Sequence, residues 1–443
     1  MITHGGLLPS GSRYVVDVPA RWNGVLLLRI QAVPVGPDAP PWASDDPLSA
    51  HLTRSGYAVA GSATNVFWPV ERALSDLPSL LDLVETVVGT PRQTIALGFS
   101  IGGIISAGAV QRYPEQLSGA LPMCANLAGA VANHNRELDM AFVVKTLLAS
   151  DTVLEVVRIA DPEANLMLAS EVLQAAQSTA AGRARLALLA AIGDIPGWHG
   201  PAKPAPAADD FDARQRNQFA WLEDVGFLVF FWARRQVEIQ AGGNPSWNAD
   251  VDYRQLLSTS INRDEVEALY PAGGLDLDKD LDRLAGEERI EADRSAVAYL
   301  ERHIVFTGDL GGVPVLTMHT EGDGLVTPGQ EQAYADVVRH AGHQDFLRQL
   351  YVDRGGHCTF TFAEILTALD LLRERIDSGA WPVLDPAALN DIAARFGVAC
   401  NMLPSGKPTR GGFCSFDPPR FTRQYDVRHI DGKGRNRSAS RVP

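Results

Sequence analysis

The run Gly98-Phe99-Ser100-Ile101-Gly102-Gly103 constrains this chain more than any other, because two apolar segments of different character meet there with no room for a loop. Before it, Thr94-Ile95-Ala96-Leu97 reads as a short buried strand. After it, residues 104–110 continue in helical fashion without a proline until Pro114. So abrupt a turn puts Ser100 in a strained backbone conformation, and the positions two before and two after must be small for strand and helix to approach. Gly98 and Gly102 meet that demand, and the turn lifts the Ser100 hydroxyl clear of the strand end, where it can act as a nucleophile.

A serine hydroxyl is a poor nucleophile near neutral pH, so it needs a base, and the base needs an acid to orient it. Further along, Val313-Pro314-Val315-Leu316-Thr317-Met318-His319 reads as a buried strand running into the turn Thr320-Glu321-Gly322-Asp323-Gly324. Asp323 is the expected acid, because flanking glycines allow the sharp turn that aims a short carboxylate; Glu321 competes from the same turn. Then Phe346-Leu347-Arg348-Gln349-Leu350-Tyr351-Val352 reads as the last strand, followed by Asp353-Arg354-Gly355-Gly356-His357-Cys358 and a helix over 361–376. His357 is the expected base; His319 lies in a strand, and His340 and His343 end the helix after the acid, which suits core or cap roles better.

Strands expected at 14–18, 25–30 and 57–61 alternate with helices near 47–54 and 74–88, so the fold class is α/β, a mostly parallel sheet covered by helices on both faces. After Leu121-Pro122-Met123-Cys124 the strand signal stops. From there to about residue 305 the pattern is helical and rich in alanine and leucine, broken near 200–206 by an extended Pro-rich loop. The mixed charge of 265–301 suits a solvated helical face.

The elbow, the Gly322-Asp323-Gly324 turn and the glycine-flanked His357 resemble the serine α/β-hydrolase superfamily over roughly residues 14–124 and 313–378. Within it the chain looks like a bacterial esterase or lactonase with a large helical lid. The resemblance implies an α/β-hydrolase core over 1–124 and 306–443, with an inserted helical cap over 125–305. It implies a Ser100-His357-Asp323 triad, an acyl-enzyme, and an oxyanion held by backbone N–H groups. Ile101, directly after the serine, is the first expected donor. The His-Gly pair that many relatives carry is missing after Val25-Leu26-Leu27-Leu28-Arg29-Ile30, so the second donor falls to Ala32 or Val33; Pro34 has no N–H to give. No metal or organic cofactor is required. The expected activity is hydrolysis of a carboxylic ester or lactone with a bulky apolar portion, and the alternative is cleavage of an amide or small peptide. In the alternative, Glu223 or Asp224 would hold a substrate ammonium. The aromatic stretch 219–232 supplies the expected pocket residues Trp221, Phe227 and Trp232, joined by Phe67 and Trp68 from the loop after the third strand.

The formal net charge of −14 speaks against nucleic acid or an anionic membrane surface as partner, leaving a small-molecule substrate; a homo-oligomer stays open. The basic tail, Lys433 to Arg437, reads as a solvated end. No charged-then-apolar leader marks residues 1–12, so a cytoplasmic location is the default. Four cysteines are too few for a disulfide framework, although Cys400 and Cys414 bracket a Pro/Gly-rich loop and could pair; Cys358 reads as a small buried hydrophobe.

Overall fold

The computed structural model describes residues 1–30, 40–42, 46–63, 66–403 and 406–425. The expected second oxyanion donors Ala32 and Val33 and the basic tail lie outside these described residues.

Nine strands form one sheet: β1 (Ile2–Leu7), β2 (Arg13–Val18), β3 (Val25–Ile30), β4 (Ala58–Ala63), β5 (Gln93–Phe99), β6 (Gly119–Met123), β7 (Val315–Gly322), β8 (Leu347–Gly355) and β9 (Phe413–Cys414). Their spatial order is β1-β2-β4-β3-β5-β6-β7-β8-β9. From β4 to β8 every neighbouring pair is parallel, while β1, β2 and β9 add antiparallel edges. With the turn into a helix directly after β5, this is the α/β-hydrolase arrangement that the sequence resembles. The Gly-rich start of the chain, to which the sequence analysis assigns no element, pairs as β1 along β2.

Both sheet faces are buried, so the central strands alternate between two apolar clusters rather than between core and water. On one face Leu26, Leu28 and Ala96 pack under the helices Val70–Val87 and Ile101–Arg112. On the other, Leu27, Ile95, Leu97 and Met123 pack under Pro47–Arg54 and Phe362–Ser378. Asp46 caps the first of these and a Thr361/Glu364 capping box starts the second.

Between β6 and β7 the regular elements are all helical, from Ala130–Leu147 to Arg294–Arg302. Ala130–Leu147 is buried on nearly every face, and its second half joins Leu186, Leu189, Phe227, Phe231 and Tyr270 in a third apolar cluster. The segment 222–233 is unusual in containing two π-helical turns, Leu222–Gly226 and Val229–Ala233. No helix among the described residues is long and apolar enough to cross a membrane.

Candidate active site

Ser100 adopts φ 55°, ψ −124°, a region that non-glycine residues enter at a cost of order 1–3 kcal/mol unless their surroundings hold them. The surroundings here are the Ser100 N–H bound to the Met123 carbonyl of β6 at 2.9 Å, and the glycines on either side. A Cβ built on Gly98 would fall against the Gly102 carbonyl and 2.5 Å from Ser106 Oγ, so strand and helix approach this closely only without one. Ile101 follows at the first turn of the helix, where backbone N–H groups lack an intrahelical partner and face outward with the positive end of the helix dipole.

The turn after β7 and the loop after β8 are tied to each other. Gly322 and Gly355 approach so closely that a Cβ on Gly322 would lie 2.8 Å from the Gly355 Cα, and Gly356 N–H donates to the Gly322 carbonyl at 3.1 Å. Thr320 Oγ1 donates to the Gly356 carbonyl at 2.7 Å. The result brings the three expected residues into line: His357 Nε2 lies 2.9 Å from Ser100 Oγ, and His357 Nδ1 lies 2.7 Å from Asp323 Oδ2. Asp323 is fully buried, and its other oxygen accepts from the N–H groups of Leu325 and Val326 at 3.0 and 2.9 Å. Such bonds hold the carboxylate still. Glu321, its competitor, points away and accepts from Cys414.

His319 sits behind this acid. Its Nδ1 faces Glu331 at 3.1 Å and its Nε2 the Val326 carbonyl at 2.7 Å; both partners only accept, so both nitrogens carry protons. Complete burial alone would lower its pKa, but Glu331 and Asp323 outweigh it and raise the value. A buried cation thus steadies the Asp323 turn. Arg136 reaches the same turn through the Leu325 carbonyl. Burial, opposed by Glu137, Asp194 and Asp323, lowers the Arg136 pKa to about 10. Sequence reasoning gave His319 a core or cap role, in keeping with its complete burial, and did not single out Arg136, whose partner Leu325 lies 189 positions away in the chain.

The cysteine expectations are overturned. Cys124 at the end of β6 and Cys358 directly after His357 form a disulfide, and Cys400 and Cys414 are both free. Position explains the pairing: β6 and β8 run parallel on either side of β7, so their C-terminal ends emerge together. The bond ties the histidine loop to the strand end that also holds Ser100 N–H. It also accounts for the clustering of both sulfurs with the His357 ring, the group of possible metal ligands found among the described residues.

A cavity of about 380 Å³ opens on Ser100 and His357, within the range of small-molecule sites. Phe67 and Trp68 line it as expected, with Phe99, Val225, Leu228 and Val229. Three expected pocket residues lie elsewhere. Trp221 is packed against Gly324, with its indole N–H on the Trp198 carbonyl at 2.9 Å. Phe227 is buried against Phe230 and Phe231 inside the third apolar cluster. Trp232 packs edge-on against Phe67 and donates to Glu163, one layer behind the wall. Glu223 and Asp224 are exposed; Gln174 donates to the first and His199 pairs with the second. The carboxylate that does line the cavity is Glu137, together with Asn133, His134 and Arg234.

No protein-family model matches the chain. It is similar to the o-phthalyl amidase of Xanthobacter agilis, at 29% identity over 418 residues, covering 88% of this chain and 90% of the amidase. Among solved structures it is similar to an esterase from Aspergillus oryzae, at 16% identity and a TM-score of 0.41, covering 86% of this chain and 80% of the esterase. It is also similar to Candida antarctica lipase A in its closed state, at 13% identity and a TM-score of 0.42, covering 94% of each chain.

Proposed function

We propose that this chain is a serine hydrolase that cleaves a carboxylic ester or lactone through an acyl-enzyme on Ser100. The observation that carries the reading is the unbroken line from Ser100 Oγ to His357 Nε2 and from His357 Nδ1 to buried Asp323. In the reaction, Ser100 Oγ attacks the carbonyl carbon as His357 Nε2 takes its proton. Asp323 keeps the other nitrogen protonated and stabilises the imidazolium. The developing oxyanion is met by the Ile101 N–H, a donor worth about 3–4 kcal/mol of barrier by comparison with other acyl-transfer enzymes. His357 then returns its proton to the leaving group, and water attacks the acyl-enzyme by the same route in reverse. In this reading the helical segment 125–305 is the cap that, through Val225, Leu228 and Val229, supplies the apolar wall for the substrate.

A second reading, hydrolysis of an amide, is favoured by the likeness to an o-phthalyl amidase over most of both chains. Esters and amides pass through the same tetrahedral intermediate, so the triad serves either; the amide differs in needing its nitrogen protonated before it leaves. The Cys124–Cys358 bond suits an oxidising compartment. The test is turnover of matched esters, aryl-fused lactones and anilides of one aromatic acid by the native protein and Ser100→Ala. Ser100-dependent ester or lactone turnover supports the first reading, and anilide turnover at comparable kcat/KM supports the second. Turnover that survives in Ser100→Ala removes both.

A further inference from the structure

The sulfur of Cys358 stands beside the base of the candidate triad. Its Sγ lies 3.4 Å from His357 Nε2, the nitrogen that faces Ser100 Oγ at 2.9 Å. With Nδ1 directed at Asp323, Nε2 offers one lone pair, and whichever neighbour donates to it decides which group the base serves. A disulfide sulfur carries no hydrogen and cannot donate. Bonded to Cys124, Cys358 therefore leaves that lone pair to the Ser100 hydroxyl. A thiol in the same place donates, and, being a stronger acid than an alcohol, it takes the base away from Ser100.

The two halves of the bond differ in access. Cys124 is fully buried at the end of β6, whereas Cys358 is half-buried and lines the cavity that opens on Ser100, so a small reagent entering there meets Cys358 and the His357 ring together. The free cysteines offer no such site. Cys400 is buried, and Cys414 donates to Glu321; burial and that carboxylate push the Cys414 pKa up, which makes it a poor nucleophile.

We infer that Cys358 is a masked modification site: once a dithiol reductant releases it from Cys124, it takes His357 from Ser100 and becomes a nucleophile toward soft electrophiles in the cavity. The dithiol gives two electrons and two protons to the Cys124–Cys358 bond and leaves as its own disulfide. The Cys358 thiol proton then passes to His357 Nε2 as the sulfur attacks, and the electrophile's leaving group departs with its electron pair. Cys124 is thus a positioning residue that acts through Cys358 and keeps His357 for Ser100. The inference rests on the hydrolase reading above and adds a redox-gated second nucleophile to it.

Backbone geometry supplies the test. Cys124 has φ 43° and Cys358 has φ 55°, left-handed conformations that glycine adopts freely, so Cys124→Gly and Cys358→Gly each cut the bond with the backbone accommodated. Only Cys124→Gly keeps a thiol beside His357. Methyl methanethiosulfonate converts that thiol to a methyl disulfide, releasing methanesulfinate, and its sulfur and methyl replace the Sγ and Cβ removed from position 124. Turnover of a 4-nitrophenyl ester is measured with thermal unfolding on the same samples; if Cys124→Gly does not fold, the dithiol-reduced native protein takes its place. Both variants lose the tie, but Cys124→Gly is expected to be slower than Cys358→Gly by about tenfold, the cost of breaking one thiol–imidazole hydrogen bond. The methylthio cap is expected to raise turnover of the thiol-bearing protein and to leave Cys358→Gly unchanged. Iodoacetamide, mapped by peptide fragmentation, is expected to label Cys358 about tenfold faster in Cys124→Gly than in Cys124→Gly/His357→Gln. Equal turnover by the two folded glycine variants, no gain from the cap, or labelling of Cys358 as fast without His357 would overturn the inference. Ester turnover persisting in Ser100→Ala would instead overturn the hydrolase reading, which the labelling of Cys358 does not touch.

Discussion

Replacing Gly98 with alanine puts a methyl group where strand β5 and the helix Ile101–Arg112 have no space for it. The added carbon would meet the Gly102 carbonyl and lie 2.5 Å from Ser106 Oγ, whereas comfortable contact needs about 3.5 Å. The Ser106 hydroxyl is itself fixed by donating to the Gly102 carbonyl at 2.8 Å, so neither neighbour can swing aside. Strand and helix must therefore part by about 1 Å, and Ser100, which lies between them, moves with the helix. A displacement of that size at a reacting atom costs about 10²-fold in rate, and overpacking a tight contact costs about 1–3 kcal/mol of stability. Gly108→Ala in the same helix is the control. There the added carbon lies 3.3 Å from Ile304 Cδ1 and 3.5 Å from Leu74 Cδ1, the ends of flexible side chains, and alanine favours a helix interior by about 0.5–1 kcal/mol. The assay is kcat for a 4-nitrophenyl ester at saturation, with thermal unfolding on the same samples. Gly98→Ala is expected to lose about 10²-fold in kcat and some stability, and Gly108→Ala to keep both. A Gly98→Ala enzyme within about threefold of native kcat, or equal damage at both positions, would refute the reasoning.

Asp323→Asn is expected to lower kcat about 10⁴-fold with little loss of folding, while Glu321→Gln stays near native; steady-state kinetics showing the reverse would move the acid to Glu321. Burial raises the Glu265 pKa from the usual 4.5 to about 7, against Arg214 and Gln218, which lower it. Because the folded state holds that proton more tightly than the unfolded chain, stability falls as pH rises from about 4.5 through 7, by at most about 3 kcal/mol. Glu265→Gln is therefore expected to raise the urea midpoint at about pH 8 and to lose that advantage near pH 4; a variant less stable than native at the higher pH contradicts this. The Cys124–Cys358 bond closes a loop with a sequence separation of 234, so cutting it by reduction or Cys358→Ser is expected to lower stability by up to about 5 kcal/mol. Cutting it is also expected to reduce kcat by loosening the histidine loop; melting and turnover both insensitive to reductant would show that the bond does neither.

The core of this molecule was legible wherever the signal was local. The elbow declares itself in six consecutive residues, and β3, the helix Pro47–Arg54 and the histidine loop follow from short apolar runs ended by glycine, proline or a cap. The chain order of Ser100, Asp323 and His357, each just after a strand, then allows the three to meet on one sheet edge. What escaped was non-local or out of phase. Cys124 and Cys358 carry no mark of pairing until β6 and β8 are known to flank β7. The choice of Trp221, Phe227 and Trp232 for the pocket rested on the aromatic content of the stretch 219–232, which does not say which side of it faces Ser100. The two π-turns of 222–233 widen the repeat, so that Val225, Val229, Ala233 and Val237, four apart, face the cavity while the aromatic residues turn into the helical core. His134, Glu137 and Arg234 gave no signal in a helical, apolar setting, where a polar residue reads as surface; burial and proximity to Ser100 exist only once the helix Ala130–Leu147 is in place.

The most direct test of an acyl-enzyme on Ser100 is intact-protein mass spectrometry of the native enzyme, quenched in acid during turnover of a slow aryl ester, beside Ser100→Ala. The expected result is a mass increase equal to one acyl group, mapped by peptide fragmentation to Ser100 and absent from the variant. An adduct on another residue, or ester turnover by Ser100→Ala at the native rate, would contradict the account.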